Sequence, residues 1–247
     1  MSKHSAACCS IPPVIYKGYE PKGSYKTIDG IKSYITGKEN ATTGIFVVYD
    51  IFGFFPQTLQ GADILATSDK DHQYQVFVPD FFDGTPADIA WYPPDTKEKG
   101  EKLGAWFTTR GPPMGVEKVT PILDGYRKTY PNIKTWVAIG FCWGGKVISL
   151  SSSAGTPWKA AAQSSPAMVD PDDATKVSIP MMMLASKEEK KEDVEQYGKN
   201  LTVPKQVEFY DEIHGFMTAR SDLSEERGRA AYEKGYKTVL EFFAQYA

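Results

Sequence analysis

Cysteine and histidine are scarce in this chain of 247 residues, which contains three of each. Three cysteines, two of them adjacent at Cys8 and Cys9, do not make a disulfide framework, which favours a reducing compartment. Residues 1–13 also lack the continuous apolar stretch of a secretory signal. Together these absences predict a cytoplasmic protein.

Long hydrophobic runs and an excess of basic residues are missing as well. The apolar run at residues 179–185 is far shorter than the roughly 18 residues that a membrane-spanning helix needs. A net charge of -3 and a pI near 5.7 give no basic field for nucleic acid or an anionic membrane. We therefore expect a small-molecule partner, no nucleic acid and no membrane, with monomer and homodimer both left open.

What the chain does have is an ordinary globular composition, 41% hydrophobic and 24% charged. Its length fits one domain. We expect a flexible N-terminal tail over residues 1–13 and a single domain over residues 14–247.

Short apolar runs alternate with stretches of helical period. Asp29-Gly30 favours a type I′ turn, which predicts a hairpin over residues 25–36. Buried strands are predicted at residues 45–49, 76–78, 136–139, 160–162, 181–184 and 207–210. Helices are predicted at residues 58–69, 97–107, 116–130, 146–152, 194–200 and, after Ser224 as N-cap, 225–246. This alternation predicts an α/β fold with a mostly parallel central sheet, helices on both faces and an N-terminal antiparallel hairpin.

One strand-to-helix junction carries a candidate nucleophile. Residues 137–146 read V-A-I-G-F-C-W-G-G-K, an apolar strand followed by a G-x-C-x-G turn. This is the context of the G-x-S-x-G nucleophile elbow of α/β-hydrolases, with cysteine in place of serine. The alternative is that Cys142 is a small buried apolar residue and that the glycines only relieve packing.

The position of Cys142 before a helix predicts an activated thiol. The free N–H groups of the first helical turn favour the thiolate over the thiol. The same groups stabilise an oxyanion, so the Trp143 N–H is the expected first donor of an oxyanion hole.

A thiol nucleophile needs an imidazole within hydrogen-bond reach, and the chain has only three histidines to supply it. His4 lies in the expected tail, and His72 lies in a charged stretch at the end of a helix. His214 follows the last predicted strand and is the predicted base. The alternative is a loop histidine that makes one backbone hydrogen bond.

The acid of an α/β-hydrolase lies between nucleophile and histidine in the chain, at the end of a strand. The strand at residues 181–184 is followed by Glu188 and Glu189. Glu188 is the first choice and Glu189 the second, although charge runs such as residues 187–193 are usually solvated faces.

Four motifs together resemble the dienelactone hydrolase family, and within it the fungal and animal members related to carboxymethylenebutenolidase. They are V-V-Y-D-I-F-G (47–53), V-P-D-F-F (78–82), G-F-C-W-G-G (140–145) and H-G-F (214–216). The resemblance implies an α/β-hydrolase fold, a Cys, acid and His triad, and no cofactor or metal. It also implies that Asp50 interacts with the resting thiol and that the Ile51 N–H completes the oxyanion hole. The bacterial founders have glutamate at the first of these positions.

The founders also bind the substrate carboxylate through two arginines, and this chain departs from both. The loop at residues 83–88 has no arginine, and Arg220 follows His214 at a longer spacing. The resemblance therefore does not support an anionic dienelactone as substrate. We expect instead an apolar substrate pocket, with Arg220 beside it, lined by Phe52, Phe55, Phe81, Phe82, Trp91 and Trp143.

Thiolate chemistry narrows the substrate class. A tetrahedral intermediate expels thiolate more readily than an ordinary alkoxide, so only esters that release a stabilised anion react efficiently. We expect hydrolysis of a small activated ester or lactone through an acyl-enzyme. Two other functions stay open: a non-catalytic binding or redox-sensing protein on the same fold, and acyl transfer to an acceptor other than water.

Overall fold

A computed structural model describes residues 13–15 and 18–247. The expected tail lies outside these residues except for Pro13, and the single-domain boundary at residue 14 stays a prediction. No helix in the described ranges is long and apolar enough to cross a membrane.

The strands that the structure describes join one eight-stranded sheet in the order β1-β2-β4-β3-β5-β6-β7-β8. β1 pairs antiparallel with β2, and β2 pairs antiparallel with β4, whereas all other neighbours are parallel. The strands are β1 (Ser24–Ile28), β2 (Ile31–Gly37), β3 (Thr43–Val48), β4 (Tyr74–Pro79), β5 (Thr135–Phe141), β6 (Ala161–Ser164), β7 (Met181–Ala185) and β8 (Lys205–Phe209). The predicted mostly parallel sheet with an N-terminal antiparallel hairpin is confirmed.

The hairpin turn has the backbone that its sequence predicts. Asp29 and Gly30 have φ angles of 47° and 82°, so both central residues are left-handed, as a type I′ turn requires.

Helices cover the sheet, with α1 packed against α6 and α3 packed against α4. They are α1 (Pro56–Thr67), α2 (Lys97–Thr108), α3 (Pro112–Thr129), α4 (Trp143–Ser151), α5 (Lys191–Asn200) and α6 (Glu226–Tyr246). Several helix boundaries differ from prediction by two to four residues: α1 spans Pro56–Thr67, α4 begins at Trp143 and α5 begins at Lys191. α3 begins at Pro112, because proline suits the first helical turn, and Glu225 rather than Ser224 is the N-cap of α6.

The parallel strands fix the place of the candidate site. Parallel strands that point the same way end at one edge of the sheet, where α/β proteins bind their ligands. Asp50 follows β3, Cys142 follows β5, Glu189 follows β7 and His214 follows β8. The fold therefore brings the predicted residues from four distant segments to one edge.

Candidate active site

Cys142 occupies a sharp turn between β5 and α4. Its φ of 52° and ψ of -111° are a strained conformation for a residue with a side chain. The turn requires glycine on both sides: a Cβ at Gly140 would lie 2.1 Å from the Gly144 carbonyl oxygen, and one at Gly144 would lie 2.1 Å from the Val48 carbonyl oxygen. The G-x-C-x-G pattern thus has a steric cause.

Hydrogen bonds fix the backbone of this turn. The Cys142 N–H donates to the Ser164 carbonyl at 3.1 Å, and the Cys142 carbonyl accepts from the N–H groups of Gly145 and Ala167 at 3.0 and 2.9 Å. Trp143 is the first residue of α4, so its N–H has no carbonyl partner inside the helix. This N–H is available as an oxyanion donor.

His214 is bound by a carboxylate on one side. Its Nδ1 lies 2.6 Å from Oε1 of Glu189, and both side chains are buried. Burial lowers the pKa of His214. Cys142 and Glu189 each raise it through their charge and through a hydrogen bond, and these effects exceed that of burial, so the pKa rises to about 9. The imidazole thus lies between Glu189 and Cys142, and its contacts with both favour its protonated form.

The structure corrects the choice of acid from Glu188 to Glu189 for the contact with the imidazole. The exposed Glu188 accepts a hydrogen bond from the His214 backbone N–H, not from the ring. Glu189 turns inward because the N–H and hydroxyl of Ser186 both donate to its carboxylate, the hydroxyl at 3.0 Å. Ser186 was not singled out from the sequence, and only its position three residues before Glu189 could have suggested it.

Asp50 lies fully buried at the end of β3. It accepts from the N–H groups of Phe52 at 2.9 Å and Ala219 at 3.4 Å. Burial raises the pKa of Asp50, the charge of Arg220 opposes the rise, and the charge of Cys142 adds to it. The charge of Cys142 therefore acts on Asp50, and a direct interaction of Asp50 with the resting thiol stays a prediction.

The turn after Asp50 leaves one N–H available. The Asp50 carboxylate accepts a hydrogen bond from the Phe52 N–H, and the Asp50 carbonyl accepts one from the Gly53 N–H at 3.2 Å. Among the described residues no hydrogen bond uses the N–H of Ile51, whose carbonyl accepts from Ala87 at 2.9 Å. This geometry suits the role expected for Ile51.

The predicted pocket residues separate into two groups. Phe52 packs with Tyr92 at 5.0 Å between ring centroids, and the fully buried Arg220 guanidinium lies 5.0 Å from the Phe52 ring. Phe82 instead packs against the Trp143 ring at 4.9 Å and lines a crevice to which Phe52 does not contribute. One shared substrate pocket stays a prediction.

The remaining predicted aromatics follow this division. Phe55 packs against Phe52, Phe81 joins Phe82 beside Trp143, and Trp91 is partly buried against the core. Tyr92 was missed because nothing in its local sequence separates it from a core aromatic.

The other described histidine takes no part in this arrangement. His72 lies on the surface with its Nδ1 3.0 Å from a carboxylate oxygen of Asp69. No group of three or more His, Cys, Asp or Glu side chains within residues 13–15 and 18–247 is arranged to hold a metal ion.

The fold and the elbow define the chain as an α/β-hydrolase. The family model for the dienelactone hydrolase family matches residues 31–247, and the chain belongs to this family. An uncharacterised AIM2 family protein of Schizosaccharomyces pombe is 32% identical, with 96% of this chain and 98% of the relative covered.

Two further comparisons agree. A carboxymethylenebutenolidase homolog of Xenopus tropicalis is 27% identical, with 92% of each chain covered. A crystal structure of a putative dienelactone hydrolase from Klebsiella pneumoniae has a TM-score of 0.69 at 16% identity, covering 91% of this chain and 98% of that one, and shows the same fold. The family and the relatives support a hydrolase.

Proposed function

We propose that the protein hydrolyses a small activated ester or lactone, with Cys142 as nucleophile, His214 as base and Glu189 as the acid that orients His214. One observation carries the proposal: the buried imidazole is held by Glu189 at 2.6 Å, and its pKa is raised by the charge of Cys142. A histidine that served only packing would not need a charged neighbour on both sides.

The reaction proceeds through a thioester. The Cys142 thiolate attacks the carbonyl carbon, and the N–H groups of Trp143 and Ile51 stabilise the oxyanion. The C–O bond to the leaving group breaks, and the His214 imidazolium gives its proton to the leaving oxygen. A water molecule then loses a proton to the neutral imidazole and attacks the thioester carbonyl, which releases the acid and restores the thiolate and the imidazolium.

The substrate class follows from the leaving group. An enol or aryl oxygen carries negative charge better than an alkoxide, so its expulsion competes with return of the thiolate. Cys142 and His214 are both fully buried, so a substrate reaches the sulfur only when covering side chains move. A small substrate fits this enclosed site.

The test compares an enol lactone, α-angelica lactone, with p-nitrophenyl acetate on wild-type protein and on Cys142→Ala. We expect turnover of both by the wild type, and none above background by the variant. Mass spectrometry of protein quenched during turnover of the aryl ester should show one acyl group, located on the peptide that carries Cys142.

Two histidine variants control for damage to the protein. His214→Ala should lose at least about 10³-fold in kcat, within the range for loss of one member of a catalytic triad. His72→Ala removes a surface histidine and should keep full activity. Equal turnover by wild type and Cys142→Ala would refute the proposal.

A further inference from the structure

A cavity lies against the side chain of Trp143, outside the proposed reaction centre. It is an open crevice of about 240 Å³, and neither Cys142 nor His214 lines it. We call it the Trp143 crevice; its main lining residues are Phe81, Phe82, Arg110, Met114, Lys118 and Trp143. The expected substrate aromatics Phe81 and Phe82 belong to this crevice, so its apolar surface needs its own explanation.

The inner wall of the crevice is aromatic. The Trp143 ring packs edge to face with Phe81 and Phe82 at centroid distances of 5.7 and 4.9 Å. An apolar cavity of about 150 Å³ is enough to hold a benzene molecule. The wall and the volume therefore suit one small ring or a branched aliphatic group.

The rim of the crevice carries one cation that is not neutralised by its contacts. Lys118 is paired with Asp83 at 2.8 Å and also donates to the Phe81 carbonyl. Arg110 donates instead to two neutral hydroxyls, those of Thr109 at 2.8 Å and Thr85 at 2.6 Å. A guanidinium has more N–H donors than these two bonds use, and its planar fork matches a carboxylate.

The charges also limit the ligand. Arg110, Lys118 and Asp83 sum to one positive charge at the rim, so a monoanion is balanced there. A dianion would meet the Asp83 carboxylate without a second unpaired cation. The combination of an aromatic wall and one cation selects a carboxylate attached to a small apolar body.

We propose that the Trp143 crevice is a binding site for a small monocarboxylate with an aromatic or branched aliphatic body. The site does not depend on Cys142 being a nucleophile. Its wall is the side chain of the residue that begins α4 directly after Cys142, and the indole Nε1 donates to the Arg110 carbonyl at 2.8 Å. A bound acid thus contacts the helix that carries the proposed oxyanion donor.

The test uses Cys142→Ala protein, so that no turnover occurs, and phenylacetate as the probe. Calorimetry should show saturable binding at millimolar phenylacetate, and the indole N–H resonance of Trp143 should shift with the same affinity. The neutral isostere phenylacetamide should bind at least tenfold more weakly, because it offers Arg110 no charge.

Three variants locate the site. Arg110→Gln should weaken phenylacetate binding at least tenfold, and Met114→Trp, on an exposed position of α3, should fill the crevice and abolish binding. Arg127→Gln, on the same helix and away from the crevice, should leave binding unchanged. Binding of the amide equal to that of the acid, unchanged affinity in both crevice variants, or no saturable binding would overturn the proposal.

Discussion

Two adjacent glutamates after β7 have opposite surroundings, and the difference decides which of them acts on His214. Glu189 is buried and contacts the ring nitrogen, whereas Glu188 is exposed and contacts only the backbone of His214. A buried carboxylate acts through a lower effective dielectric than an exposed one. The chemistry of the imidazole therefore depends on Glu189.

Replacing each glutamate by glutamine should separate these two roles. We expect Glu189→Gln to lower kcat on α-angelica lactone by about 10² to 10⁴-fold, since it removes the charge beside the imidazole and puts an amide NH₂ in place of one of the two oxygens that now accept hydrogen bonds. Glu188→Gln should stay within a few-fold of wild type, because an amide oxygen still accepts from the His214 N–H. A larger loss in Glu188→Gln than in Glu189→Gln would contradict this assignment.

The raised pKa of His214 predicts the alkaline limb of the pH profile. A basic group with a raised pKa keeps its proton up to that value, so the imidazolium persists below a pH of about 9 and is lost above it. Because the imidazolium donates to the leaving oxygen, kcat/KM for the lactone should fall as the pH rises through about 9.

Glu189→Gln supplies the check on this limb. It removes one of the causes that raise the pKa of His214, so the alkaline limb of its residual activity should move to lower pH. A limb at the same pH in both proteins, measured with matched buffers, would show that another group titrates there.

At this scale the sequence predicts the positions of Cys142 and His214 better than that of the carboxylate that contacts the imidazole. Cys142 has a motif with a steric cause, and His214 has few competitors. Glu188 and Glu189 differ only in which side of a turn each faces, and that is set by hydrogen bonds to Ser186. Tyr92 and Arg220 meet Phe52 across the fold, a contact that no local pattern contains.

The junction of β5 and α4 is the element on which the proposed site depends. Gly140 and Gly144 let the strand, the turn and the helix approach one another at backbone distance. Because backbone atoms form the opposing surface, a Cβ at either position has no flexible side chain to displace.

We predict that Gly144→Ala lowers the free energy of unfolding by about 1–3 kcal/mol or more, the usual cost of overpacking a rigid core. The displaced turn should also reduce activity beyond any loss of folded protein. Denaturant unfolding and kcat at a temperature where the variant stays folded measure the two effects.

Gly104→Ala is the matched control for this variant. Gly104 lies within α2, and beyond the adjoining backbone of that helix no atom lies within 4 Å of the position that a Cβ would take. Alanine should there stabilise the protein by about 0.5–1 kcal/mol through helix propensity. Equal effects at both glycines would show that close approach at the elbow has no special cost.

Element by element, the fold was predictable because its signals are local. Alternating apolar runs and helical periods identify the strands and helices, and Asp29-Gly30 identifies the hairpin turn. Strand order is a different matter: β4 lies between β2 and β3, a crossover that depends on long-range packing. The resemblance to a known fold, not the periodicity, implies that order.

At the scale of the whole molecule, a buried carboxylate joins residues 18–23, which precede β1, to the rest of the protein. Asp63 in α1 is buried and accepts hydrogen bonds from the hydroxyls of Tyr19 at 2.5 Å and Tyr34 at 2.8 Å, and from the Lys22 N–H at 2.9 Å. Burial raises the pKa of Tyr19, and the hydrogen bond and charge of Asp63 raise it further. One side chain thus joins residues before β1 to β2 and α1.

Asp63→Asn should therefore loosen the N-terminal approach to the sheet. An amide has one acceptor oxygen where the carboxylate has two, and hydrogen bonds to a charged group contribute about 1.5–3 kcal/mol each. We expect unfolding to require about 1–3 kcal/mol less, and limited trypsin digestion to cut after Lys22 faster than in the wild type. Asp124→Asn, which changes an exposed acid on α3, should alter neither stability nor cleavage. If both variants melt and are cut alike, Asp63 does not hold this segment, and the packing of β1 on β2 must hold it instead.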